Sequence, residues 1–66
     1  MQTENNVFIP QLLKVPDVAT ILNISRSTAY RLVSSNEIAH IRIGHSVRVR
    51  PDDLQTYIQA NINQAS

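Results

Sequence analysis

Between Pro16 and Val33 the chain reads PDVATILNISRSTAYRLV, and the middle of that run constrains the backbone more tightly than any other stretch. Ala19 stands four residues before Asn23, Asn23 six before Ala29, and Leu32 three further on. This is the spacing of two helices that cross steeply through a tight connection. A small side chain at Ala19 lets the second helix approach closely, and Asn23 tolerates the left-handed conformation that ends a helix. Ile24 can plug the corner between them. Ser25 is a good N-cap, with its hydroxyl available to the amides of the next turn, so a second helix is predicted from Arg26. For the first helix, Pro16 sits where no amide hydrogen is needed and Asp17 beside the positive end of the dipole.

The apolar residues fit this placement. Val18, Ala19, Ile21 and Leu22 are expected on one side of the first helix, and Ala29, Leu32 and Val33 form an i, i+3, i+4 stripe on the second. Arg26, Ser27, Tyr30 and Arg31 are left on the outward face, with Thr28 at its margin. Such side chains suit a DNA groove, since arginine pairs bidentately with guanine or grips phosphate and hydroxyls bond to either. Taken alone, the same face is also what any solvated amphipathic helix presents.

The run His40 to Arg50 adds the second half of the pattern. Ile41, Ile43, Val47 and Val49 alternate with His40, Arg42, Arg48 and Arg50 around Gly44-His45-Ser46, which predicts a two-stranded hairpin with those four apolar residues on its buried face. Gly44, the sole glycine of the chain, fits a tip that needs a positive φ and lets the backbone come close to a phosphate. An isolated hairpin is marginal, so this one must pack on the helices as a wing. Its arginines are then expected to form a basic strip on the open face, although a charged outer face also guards against edge-to-edge aggregation. Arg50-Pro51-Asp52-Asp53 begins a third helix with Leu54, Tyr57 and Ile58 as its apolar stripe, and Ile62 is expected to extend it by a turn.

Sixty-six residues make one small domain with a thin core, which favours a binding surface over a deep catalytic cleft. There is no cysteine, so disulfide and thiolate-metal chemistry are excluded. His40 and His45 lack a matching carboxylate cluster, and neither a metal nor another cofactor is expected. His45 at the wing tip is placed to lie near phosphate. The net charge of +1 is uninformative, but five of the six basic residues lie between positions 26 and 50 against Glu37 alone, which makes that segment +4. Glu4, Asp17, Asp52 and Asp53 lie outside it, on elements expected to face away from DNA. With no apolar run of membrane-spanning length and no signal-peptide pattern, no membrane association and a cytoplasmic location are expected.

The run LLKVPDVATILNISRSTAYRLVSSNEIAHIRIGHSVRVRPDDLQTYI, from Leu12 to Ile58, resembles the excisionase-type winged-helix family, related to MerR-type DNA-binding domains and AlpA-like phage regulators. The resemblance rests on the order SRSTAYRL, then IRIGHSVRV, then PDDL. It implies an α+β winged helix-turn-helix, with helices around a β-hairpin wing in the order α-α-β-β-α. The second helix would enter the major groove, and the wing would lie along the adjacent minor groove or its phosphates. Carried over position by position, Arg26, Ser27, Thr28, Tyr30 and Arg31 contact bases or phosphates, and Gly44, His45, Ser46 and Arg48 belong to the wing, beside Arg42. Asn23 departs from the common turn glycine, and His45 stands where the family often has arginine or lysine. The domain is expected over 11–60, after a flexible arm over 1–10 in which Val7, Phe8 and Ile9 can add a lid to the core, and before a frayed tail over 61–66.

The function implied is that of a recombination directionality factor. Such a protein binds repeated sites on double-stranded DNA beside an attachment sequence, self-associates cooperatively there, bends the DNA and helps a tyrosine recombinase (integrase) excise a phage or mobile element. An AlpA-like transcriptional regulator needs the same reading head and is the alternative. A protein-interaction module would call for a larger exposed apolar patch, for which only Tyr30 qualifies. An enzyme is disfavoured, since no nucleophile and base stand at plausible spacing and no glycine-rich phosphate loop is present.

Overall fold

A computed structural model describes residues 11–63. The anticipated N-terminal arm over 1–10, with its Val7-Phe8-Ile9 lid, lies outside the described residues, as do residues 64–66 of the tail. Five elements follow in order: α1 (Val15–Leu22), α2 (Arg26–Ser34), β1 (Ile41–Ile43), β2 (Ser46–Arg48) and α3 (Pro51–Ala60). This is the α-α-β-β-α order of a small winged helix-turn-helix.

Helix α1 begins one residue before Pro16, and that shift decides its buried face. Its N-cap is Lys14, whose backbone N–H donates to Asp17 Oδ2 at 3.0 Å, so the carboxylate ties down the helix start. Val15, Val18 and Ala19 are buried and Leu22 is packed against the core. At about 100° per residue these four share an arc of about 100°, and Ile21 lies about 110° from its centre. Ile21 was expected on the apolar face; it is instead 53% exposed.

The connection follows the sequence closely. Asn23 adopts φ 59° and ψ 48°, the left-handed cap, and the Ile24 amide returns to the Ala19 carbonyl at 3.0 Å. Ile24 then packs against the core from the corner. In α2 the buried residues are Ala29, Leu32 and Val33. A second left-handed asparagine, Asn36 with φ 66°, reverses the chain after α2. The Glu37 and Ile38 amides both bond to the Leu32 carbonyl, at 3.0 and 3.2 Å, and Ile38 drops into the core with no exposed surface.

The hairpin departs from the expected face. Strands β1 and β2 are antiparallel with Ile41 opposite Arg48, Arg42 opposite Val47 and Ile43 opposite Ser46. Directly opposed residues share a face of the pair. Ile41 and Ile43 therefore lie with Arg48 and Ser46, and Val47 lies with Arg42. The four apolar residues do not share one face. The cause is parity: the connection is the two-residue turn Gly44-His45, with Ser46 already in the strand, so an odd-numbered residue always opposes an even-numbered one. A three-residue tip would have paired Ile43 with Val47. Val49 is fully buried, Val47 and Ile41 are half-buried, and Ile43 is 57% exposed.

The base of the wing is held by backbone. Leu13 and Val49 form an isolated antiparallel bridge, with the Leu13 amide 2.8 Å from the Val49 carbonyl and the Val49 amide 2.9 Å from that of Leu13. Helix α3 starts at Pro51 after the N-cap Arg50, buries Leu54 and rests Tyr57 and Ile58 against the core. It ends at Ala60, where Asn61 Nδ2 donates to the Tyr57 carbonyl at 2.8 Å. Ile62 does not extend it and is 47% exposed. Among the described residues, no helix is long and apolar enough to cross a membrane.

Candidate nucleic-acid interface

The exposed face of α2 is set by its first turn. Ser25 Oγ accepts from the Thr28 amide at 3.1 Å and donates to Thr28 Oγ1 at 2.8 Å, while Ser27 Oγ lies 3.2 Å from the same Ser25 oxygen. The hydroxyls of Ser27 and Thr28 thus belong to the cap, and Thr28 is half-buried. With the helix start fixed this way, Arg26, Tyr30 and Arg31 project outward, Tyr30 being 53% exposed. Arg31 Nη1 is 4.0 Å from Glu37 Oε2, with both side chains more than half exposed. An ion pair at that distance and exposure is a weak tether, leaving the guanidinium free to exchange partners.

The wing does not carry one basic strip. Arg42 and Arg48 occupy opposite faces, as the register requires. Arg48 is half-buried, and its Nη1 donates to the Val47 carbonyl at 2.8 Å, which lays the side chain along the strand. Gly44 at the tip has φ 61° with nothing within 4 Å of where a Cβ would sit. His45 and Ser46 beside it are exposed.

Arg50 leaves the basic set altogether. Its Nε and Nη2 donate to Asp53 Oδ2 and Oδ1 at 2.6 and 2.9 Å, a bidentate pair. Hydrogen bonding from Arg50 holds the Asp53 carboxyl below its ordinary value, against a desolvation that pushes the other way. The same hydrogen bond, with the charge of Asp53 behind it, raises Arg50. Counting charge between 26 and 50 alone missed this, because the neutralising acid stands just outside the segment. Among the described residues, Lys14, Arg26, Arg42 and Arg48 take part in no ion pair.

Four of the expected site residues, Tyr30, His45, Ser46 and Arg48, line one cleft between α2 and the wing. Arg42 lies on the other face of the wing, and Arg26 and Ser27 stand at the start of α2. Lys14 lines the same cleft from the start of α1 and was not among the residues singled out by sequence. It lies twelve positions before the arginine cluster begins, and no local pattern marks it.

An exposed helix with a polar and arginine-bearing face, set by a tight turn and flanked by a hairpin, defines a winged helix-turn-helix DNA-binding protein. Comparison with known proteins agrees. Residues 12–62 match the family described as Helix-turn-helix domain. The chain is 36% identical over 56 residues to an excisionase of Streptomyces ambofaciens, covering 85% of this chain and 90% of that protein. It is 46% identical over 39 residues to two provisionally named DNA-binding proteins of Mycobacterium tuberculosis, from strains CDC 1551 and H37Rv, covering 59% of this chain and half of each of theirs. No solved structure gives a significant match. The chain belongs to the helix-turn-helix domain family and is an excisionase-type member of it.

Proposed function

We propose that this protein is a recombination directionality factor: it binds repeated sites in double-stranded DNA beside an attachment sequence, bends the DNA, and turns a tyrosine recombinase toward excision. In this reading α2 enters the major groove, with Arg26, Tyr30 and Arg31 reaching bases or phosphates and Ser27 and Thr28 doing so only with hydroxyl capacity left over from the cap. The wing follows the neighbouring minor groove or its phosphates through Arg42, Gly44, His45, Ser46 and Arg48. The protein performs no bond chemistry itself.

The observation that carries the proposal is the likeness to an excisionase along 90% of that protein's length. Physical reasoning supports the repeated sites. One short helix and a three-residue-stranded wing offer few base contacts, so adjacent copies must share the cost of deforming DNA to gain enough affinity.

The test is selection of bound duplexes from a random pool. Sites recovered as repeats at helical-turn spacing, bending DNA in a phasing assay and raising excision by a co-supplied tyrosine recombinase, are the expected result. A solitary motif with straight DNA would leave a promoter regulator instead. Recovery of no DNA at low salt would overturn both.

A further inference from the structure

The cleft between α2 and the wing gathers side chains that the proposed reading assigns to separate contacts, and adds Lys14, which that reading does not use. Lys14, Tyr30, His45, Ser46 and Arg48 reach it from the start of α1, the middle of α2 and the far side of the wing turn. Among the described residues, no carboxylate lines it. The nearest acid in sequence, Asp17, has its Oδ2 turned onto the Lys14 amide, so it serves the helix start. A lysine and an arginine without ion pairs among the described residues therefore meet a hydroxyl, an imidazole and a phenol around one opening.

We infer that this cleft seats a phosphodiester of one DNA strand, with Lys14 and Arg48 as its two cationic clamps. This rests on the DNA-binding reading and adds to it a residue and a route: the strand passes between α2 and the wing, so both elements grip one backbone as it leaves the major groove. The size is appropriate. At about 350 Å³ the cleft is at the small end of ligand pockets, enough for a sugar-phosphate unit and too little for a duplex. The chemistry is also apt. Arg48 has one nitrogen committed to the Val47 carbonyl, which fixes its stem and leaves the other donors of its fork for phosphate oxygens. Lys14 adds a point charge from the start of α1, Ser46 a hydroxyl, and the Tyr30 ring a flat surface for the deoxyribose.

Lys14 is the discriminating residue because it starts α1 through its backbone, the N–H donating to Asp17 Oδ2 and the carbonyl accepting from the Val18 amide, so the side chain can be changed without disturbing the helix start. The full-length chain and its Lys14→Gln and Lys14→Arg variants would be titrated against a labelled duplex carrying the selected site and against one lacking it, over a salt series. Far-UV circular dichroism would confirm that each variant is folded. Lys14→Gln should reduce the slope of log K against log salt by about one on both duplexes, and Lys14→Arg should retain the wild-type slope. Scanning single methylphosphonates along the site should reveal one position that reproduces the loss and at which Lys14→Gln has no further effect. Wild-type slope in Lys14→Gln, with the wild-type chain binding DNA normally, would overturn the clamp and leave the DNA-binding reading intact. Failure of the wild-type chain to bind either duplex would overturn both.

Discussion

The wing register can be tested by substituting two apolar residues that alternation treats as equivalent. Ile43 and Val49 are both odd-numbered positions of the run, yet one is 57% exposed and the other 0%. Val49→Ala removes two methyl-sized groups from a closed site. Transfer alone costs about 0.8 kcal/mol for each, and the cavity adds to it, for a total of about 2–3 kcal/mol. Its backbone bonds to Leu13 are kept by alanine, so the loss reports packing. Ile43→Thr keeps a β-branched side chain suited to a strand and changes mostly solvated surface, so it should fall within about 0.5 kcal/mol of wild type. In a domain this small about 1 kcal/mol corresponds to about 4–8 °C in Tm. Urea titrations followed by circular dichroism would show Val49→Ala with a midpoint displaced far to lower denaturant and Ile43→Thr nearly superimposed on wild type. A loss at Ile43 comparable to that at Val49 would refute the two-residue turn and restore the single apolar face.

Other outcomes follow from the same structure. Arg26→Ala, on the exposed first turn of α2, should weaken binding to a selected site by about 1–3 kcal/mol if it reads a base, with an unchanged melting curve; equal affinity in a fluorescence titration would remove it from the interface. Asp53→Asn should lower Tm at neutral pH by breaking the bidentate pair with Arg50. Because the folded-state pKa of Asp53 is depressed, its stabilisation is fully present above the unfolded carboxylate value and disappears as pH falls through the folded one, so the two melting curves should converge in acid. A difference in Tm that persists unchanged at low pH would contradict that linkage. Gly44→Ala meets no atom but must hold φ 61°, so a cost of about 1 kcal/mol in a thermal melt is expected, and no cost would mean the turn relaxes.

Much of the helix-turn-helix was legible because its constraints are local. Asn23 and Ser25 each answer a demand set within a few residues, and both take the predicted conformations. The stripe of Ala29, Leu32 and Val33 was readable for the same reason. Ile38 was missed because its burial depends on a second left-handed reversal at Asn36, which the polar run SSNE disguised as a plain loop. The wing face was misread because alternation fixes the faces within each strand, while the turn length fixes how the two strands align. The pairing of Asp53 with Arg50 and the place of Lys14 beside the wing both went unread. Asp53 stands only three residues after Arg50 but outside the segment over which charge was summed, whereas Lys14 lines the same cleft as Arg48 through the fold alone, from thirty-four positions earlier in the chain.

The paired amides of Leu13 and Val49 have a consequence for how such a domain can diversify. Backbone bonds are indifferent to the side chains that flank them, so the mount of the wing is insulated from changes in the residues the wing displays. The letters at 42, 45 and 46 can be rewritten for a different ligand surface while Gly44 keeps the turn and the anchor at 13 and 49 keeps the root of the hairpin in place. For anyone re-engineering the protein, the hairpin is an exchangeable cassette, fastened at its root by two backbone hydrogen bonds and the buried side chain of Val49.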